Sequence, residues 1–261
     1  LINPGDKVAI PDPYFVIYKH LSRIVGGEPI DVDTYPDFRV TAERLDAAGA
    51  GEAKLLFLNS PSNPTGQILL PEDLKEIADW AKQNEVFIVT DEIYRAFTYE
   101  GEFHSIAEYT DDVLLMNGFS KWPAMTGWRL SYCIGPAPVI AEMTKLQQFS
   151  FVCAPSMAQH AGLVALREPS DPYVQSYKRK REMLYEGLKD KFELHVPMGA
   201  FYAFPRAPGG DGEAFCRRAL DKNLLVIPGS VFSEQSSHFR ISFAASDETI
   251  EQGVEILNSL A

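Results

Sequence analysis

Lys121 stands in the run Asn117-Gly-Phe-Ser-Lys121-Trp-Pro-Ala-Met-Thr-Gly-Trp-Arg129, one amine among small and apolar neighbours with a guanidinium eight residues on. Phe119, Trp122 and Met125 would disfavour an ammonium ion, lowering the lysine pKa and favouring a neutral nucleophile. Such an amine condenses with carbonyl compounds and can carry a proton. A lone lysine is ordinarily a solvated surface charge, so the weight falls on three further segments. These are Asn59-Ser-Pro-Ser-Asn63-Pro-Thr-Gly66, Thr90-Asp91-Glu-Ile-Tyr94 and Phe239-Arg240-Ile-Ser-Phe243. Asp91 ends an apolar run, where a fixed acid can be aimed at one point, although an Asp there also serves as a helix cap. Asn63 offers an amide, and reads equally as a turn residue. Arg129 and Arg240 are planar forks suited to phosphate or carboxylate, and each is otherwise an ordinary surface or salt-bridge group.

The elements that must hold these groups alternate between short apolar runs and amphipathic stretches, the pattern of a parallel sheet with crossover helices. Residues 1–10 read as a turn leading into a strand. Residues 54–59, 86–90, 113–116 and 130–134 read as strands, the last following the lysine loop. Residues 71–83 carry Leu74, Ile77, Ala78 and Ala81 at helical spacing, with Pro71 where a first turn tolerates it. Residues 138–149 and 156–167 read as helices, and 172–191 as a longer basic helix leading into a second domain. Beyond Gly199 the pattern is strand 201–204, helix 212–222, strand 238–243 and helix 247–260, a small α+β unit. No internal repeat and no low-complexity segment is visible.

At 261 residues, 46% hydrophobic and 23% charged, the composition is that of an ordinary globular protein. A net charge of -12 leaves no basic excess for nucleic acid. Cys133, Cys153 and Cys216 lack metal or disulfide spacing, and the five histidines share no ligand spacing, so no metal site is expected. No apolar run reaches membrane-spanning length. Three isolated thiols point to a reducing, cytoplasmic setting.

In order and spacing the four motifs resemble the class I/II aminotransferases, pyridoxal-5′-phosphate (PLP) enzymes of fold type I in the aspartate aminotransferase superfamily. The resemblance runs from near Pro11 to the C-terminus. It implies an α/β fold: the mostly parallel sheet of a partial large PLP-binding domain over residues 1–171, then a small α+β C-terminal domain over 172–261. In the family a similar Asn-Pro-Gly-Asp segment lies well inside the subunit, so an N-terminal portion, about a third of the whole, is expected to be absent. With it would go the glycine-rich helix entry that gives most phosphate N–H donors. The fragment by itself is therefore expected to bind PLP weakly and to be inert.

Carried over residue by residue, the resemblance makes Lys121 the Schiff-base lysine and proton carrier. It makes Asp91 the partner of the pyridine nitrogen, while Tyr94 and Asn63 face the cofactor's 3′ oxygen. Arg129 and Ser120 would hold the phosphate, and Arg240, with Asn63, the substrate carboxylate. Tyr14, in Pro11-Asp-Pro-Tyr14, would stack on the cofactor ring. A common family pattern has Ser three residues before the lysine; this chain has Gly118, so a phosphate hydroxyl is expected to be missing. Ser156 and Gln159 lie where relatives approach the neighbouring subunit's cofactor, and also read as polar helix-start residues. The implied activity moves an amino group between an amino acid and a 2-oxo acid, in a homodimer without nucleic-acid or membrane partners. The same constellation serves PLP-dependent lyases and synthases, and aminotransferase-like sensor domains of transcription regulators.

Overall fold

The computed structural model describes all residues, Leu1–Ala261. Its elements in chain order are β1 (Lys7–Asp12), α1 (Ile17–Ile24), β2 (Glu28–Asp33), α2 (Ala42–Ala47), β3 (Leu55–Asn59), α3 (Pro71–Gln83), β4 (Phe87–Asp91), β5 (Val113–Gly118), β6 (Ser131–Ile134), α4 (Ala137–Gln148), α5 (Ser156–Ala165) and α6 (Asp171–Leu188). There follow β7 (Tyr202–Ala203), α7 (Gly212–Leu220), β8 (Ile227–Pro228), β9 (Phe239–Ser242) and α8 (Asp247–Leu260). Six strands form one sheet in the order β2-β1-β3-β4-β5-β6. All pairs are parallel except β5 with β6, which run antiparallel because the lysine loop turns the chain directly back. Strands β7, β9 and β8 make a separate antiparallel sheet.

Two cores cover the large sheet. On one face Leu56, Leu58 and Ile88 pack against Leu74, Ile77 and Trp80 of α3. On the other, Val8, Ile10, Leu55, Val89 and Leu114 pack together with Tyr14 and Tyr18. Both faces being covered explains why the strands are near-continuous apolar runs rather than alternating ones. Helix α3 follows its sequence pattern to the residue, with Pro71 in its first turn and Glu72 and Asp73 beside the positive helix end. A third core gathers Phe215, Phe239, Phe243, Leu184, Leu188 and Leu257 around the small sheet, and Phe97 and Tyr99 from the chain after β4 join it.

Helix α1 escapes the periodicity argument for a specific reason. Its buried residues are Tyr18, Lys19 and Ser22, while Ile17, Leu21 and Ile24 are exposed. The apolar stripe therefore marks the wrong face. Strand β2, Glu-Pro-Ile-Asp-Val-Asp, lies at the sheet edge, where a Pro and acidic residues are tolerated.

Candidate active site

The carboxyl ends of the parallel strands converge on one cleft, the usual ligand position in an open α/β sheet. Asp91 is the last residue of β4 and Asn59 the last of β3, paired across the sheet. Asn59 Nδ2 donates to the Asp91 backbone oxygen (2.9 Å), and Asn59 Oδ1 accepts from the Asn63 backbone N–H (2.8 Å). The Asp91 carboxylate accepts from Tyr18 Oη (2.8 Å) and from the Ile93 backbone N–H (3.1 Å). Tyr18 itself is fixed by stacking on Phe57, ring centroids 4.9 Å apart. Burial pushes the Asp91 pKa up, and the Tyr18 bond, the Ile93 bond and the charge of Lys121 pull it back. Asp91 is thus held by strand geometry rather than acting as a helix cap.

Lys121 lies in the loop between β5 and β6, with Nζ 5.4 Å from the Tyr94 ring centroid and 5.8 Å from that of Phe201. Burial lowers its pKa; Asp91 opposes this, and Arg240 and Arg129 add to it. The neutral amine is therefore more accessible than on an ordinary lysine. The loop ends at Arg129, a left-handed residue (φ 53°) whose Nη1 donates to the Thr126 carbonyl (3.1 Å), while Thr126 Oγ1 donates to the Ser120 carbonyl (2.6 Å). The Tyr94 and Tyr202 hydroxyls share a hydrogen bond of 3.0 Å, and burial drives the Tyr94 pKa far upward.

Arg240 reaches the cleft from β9. Its guanidinium lies between two rings, 4.4 Å from the centroid of Phe232 and 4.7 Å from that of Tyr202, and Nη1 donates to Asn63 Oδ1 (2.9 Å). Its Nε is buried without a protein partner. No carboxylate lies in ion-pair range of this guanidinium, and a half-buried cation among aromatic rings favours an anion beside it. Gly66 and Gly199 seal the junction between the Asn63 loop and the chain entering β7. Gly66 has φ +71°, and a Cβ there would stand 2.6 Å from the Tyr202 carbonyl oxygen; one on Gly199 would stand 2.6 Å from Pro61 Cγ. The Gly66 carbonyl accepts from the N–H groups of Met198 (2.8 Å) and Gly199 (2.9 Å).

Lys121, Asp91, Asn63, Tyr94, Ser120, Arg129 and Arg240 all line a single cavity of about 480 Å³, within the usual range for small-molecule sites. An acid at a strand end, an amine, one outer guanidinium with hydroxyls and one buried guanidinium make a donor set that fits PLP and an amino-acid carboxylate. The sequence matches the family described as aminotransferase class I and II over residues 1–257.

The chain belongs to that family.

Its relatives include the (5-formylfuran-3-yl)methyl phosphate transaminase of Methanocaldococcus jannaschii, 36% identical over 98% of this chain and 69% of that protein. The aspartate aminotransferase of Geobacillus stearothermophilus is also 36% identical, over 98% of this chain and 70% of that protein. Among solved structures, the aromatic aminotransferase of Pyrococcus horikoshii superposes with a TM-score of 0.94 at 32% identity, covering 100% of this chain and 76% of that one. The chain is thus a mixed α/β aminotransferase, an enzyme of a family that uses PLP. Three differently named substrates at nearly equal similarity mean that identity alone does not choose among them.

One expected aminotransferase residue lies elsewhere. Tyr14 does not line the cavity; its ring is part of the core beneath β1 and its Oη donates to Glu234 (3.0 Å). The aromatic that faces the cavity is the next residue, Phe15. The turn after Pro13 sets which of two adjacent aromatics points into the cleft, and Pro-Asp-Pro-Tyr-Phe does not announce that register. Tyr18, Tyr202, Asn117 and Ser131 also line the cavity and were not singled out from sequence. Gly118 turns out to be required: it pairs with Ser131 across β5 and β6, and a Cβ on it would meet Ser131 Cβ at 2.9 Å. The side chain absent at position 118 is answered by a serine on the facing strand.

Proposed function

We propose that this aminotransferase holds PLP in the cavity of about 480 Å³ and exchanges an amino group between an amino acid and a 2-oxo acid there. The observation that carries this is the Arg240 guanidinium, held between Phe232 and Tyr202 with no carboxylate in ion-pair range, lining the same cavity as Lys121 and Asp91. When bound, PLP supplies an aldehyde carbon that condenses with amines and a ring that accepts the electron pair left at the substrate α-carbon. Lys121, with its lowered pKa, would hold the cofactor through its amine and would carry the proton at the substrate α-carbon. Asp91, braced by Tyr18, faces the ring nitrogen and favours its protonated state. Asn63 and Tyr94 hold the ring oxygen, Arg129, Ser120 and Ser131 hold the phosphate, and Phe15 covers the ring. Arg240 holds the substrate carboxylate with its guanidinium, which Phe232 and Tyr202 keep in place from either side.

Borohydride reduction of the PLP-treated protein followed by peptide mapping tests this directly. A pyridoxyl mass on Lys121 is expected; a label on another lysine with Lys121 unmodified would overturn the assignment. We further divide the chain into a PLP-binding unit, residues 1–171, and a small unit, 172–261. The protein works as a homodimer, for Phe149 is 88% exposed, and Leu146, Phe151 and Met157 lie exposed in the same stretch. So much apolar surface calls for a partner. Free Cys133, Cys153 and Cys216 fit a cytoplasmic setting.

A further inference from the structure

Away from the cavity, three consecutive residues between β8 and β9 are tied to the far side of the cleft by a dense polar network. The Phe232 carbonyl accepts from the Tyr14 backbone N–H (2.8 Å). Ser233 Oγ accepts from Tyr35 Oη (2.9 Å), and the Glu234 backbone N–H donates to Asp12 Oδ2 (2.9 Å). Glu234 Oε1 accepts from Tyr14 Oη (3.0 Å) and from Lys19 Nζ (2.5 Å), and Lys19 Nζ also donates to both Asp31 oxygens at 2.8 Å. The Lys19 side chain is only 5% exposed, so its charge is compensated almost wholly by these two carboxylates. None of the proposed chemistry uses Lys19, Asp31 or Glu234, and a buried lysine placed on the polar side of α1 needs a reason.

The position of the tied segment supplies one. Phe232 is the ring against the Arg240 guanidinium, and Tyr14 immediately precedes Phe15, the aromatic facing the cavity. The network therefore spans from the wall that carries Phe15 to the wall that carries Arg240. We propose that Glu234, with Lys19 and Tyr14, is a positioning residue that fixes the separation of these two walls, and so sets how tightly the site grips a carboxylate. This rests on the reading of Arg240 as the carboxylate clamp. The tie reaches the cofactor through Phe15, which covers the ring, and touches no group assigned to the phosphate, so its loss should weaken carboxylate binding more than cofactor binding.

The test uses the chain kept at saturating PLP, with 3-phenylpropionate and succinate as amine-free carboxylate probes followed by calorimetry. Glu234→Ala should raise the Kd of the tighter probe about tenfold and the PLP Kd clearly less, about threefold at most. Glu234→Gln, which keeps an acceptor for Tyr14 and Lys19, should recover most of the affinity. Lys19→Met, which keeps the buried stem, should behave like Glu234→Ala. Hydrogen exchange at residues 229–237 and along β9 should quicken in Glu234→Ala by about fivefold or more. Faster exchange with parental carboxylate affinity would reduce the tie to a structural contact and overturn the proposal. Arg240→Lys separates the two readings. If it weakens the probes while Glu234→Ala does not, the positioning role falls and the clamp stands; if it leaves them unchanged, the clamp reading itself falls.

Discussion

The two sides of the cavity are built on opposite principles. Asp91, Asn59 and Asn63 sit at or just beyond strand ends, held by hydrogen bonds of 2.8 to 3.1 Å to Tyr18, to backbone groups and to one another. The lysine loop is different: Thr126 to Arg129 are exposed, and Ala124 and Arg129 adopt left-handed backbone (φ 65° and 53°). Its internal bonds are those of tight turns, Ala124 N–H to the Lys121 carbonyl (3.2 Å) and Trp128 N–H to the Met125 carbonyl (3.1 Å), with two more from the side chains of Thr126 and Arg129. Groups that must aim charge at a fixed atom gain from burial and rigid strand geometry, which keep reorganisation small. Under the proposed roles, the loop groups that admit and hold a phosphate gain from access to solvent.

Substitutions on the two sides should separate along this line. Asp91→Asn should have the largest effect, lowering turnover by about 10² to 10³-fold with PLP still bound. The same change should stabilise the cofactor-free chain. Asp91 has its pKa raised by burial, so the fold favours the protonated acid; stability present at low pH is lost as pH rises through the folded pKa, and a neutral amide recovers it. A melting temperature at pH 7 about 2 °C above the parent is expected, and a decrease would show that Asp91 is not strained by its burial.

Arg129→Met, on the loop side, should act on affinity rather than on electronics. Loss of one charge-assisted contact to phosphate should weaken PLP by about 10- to 100-fold in an absorbance titration. Once the cofactor is saturating, turnover should be near the parent's. A turnover defect that persists at saturation would blur the distinction between the two sides.

Tyr18→Phe tests how far the strand side depends on bracing. Removing the donor that favours the ionised carboxylate lets the Asp91 pKa rise further, so the acid limb of the pH–rate profile should move to higher pH. At neutral pH the loss should be modest, about threefold to tenfold. An unmoved acid limb would show that Asp91 needs no such support.

The smallest effect belongs to Ala124→Gly. Ala124 is exposed with φ 65°, a conformation glycine adopts without strain. The melting temperature should change by about 1–3 °C upward, with PLP affinity unaltered. A fall would mean that the left-handed turn carries no strain worth relieving.

Local patterns give most of the strands and helices of this protein, and the roles of its site residues enter the sequence reading only by resemblance. Helix α3 follows from apolar spacing with a Pro at its start, and α8 occupies the 247–260 stretch read as a helix, where the structure adds a Ser246 cap. Lys121, Asp91, Asn63, Tyr94, Ser120, Arg129 and Arg240 stood out only through the resemblance that their motifs carry together, since each alone reads as an ordinary surface, turn or cap residue; the structure brings all seven to one cavity. What no local pattern held was the meeting of these pieces: the hydrogen bond from Arg240 to Asn63 joins residues 177 apart, and that from Tyr14 to Glu234 joins residues 220 apart. The choice of Phe15 over Tyr14 as the ring facing the cavity was likewise made in three dimensions, because an acceptor on a distant segment holds Tyr14 away. Helix α1 was hidden for the same reason, its lysine being buried by carboxylates from β2 and from the segment before β9. Periodicity records which side chains avoid water on average; only the folded chain decides which polar groups find partners and can be buried with them.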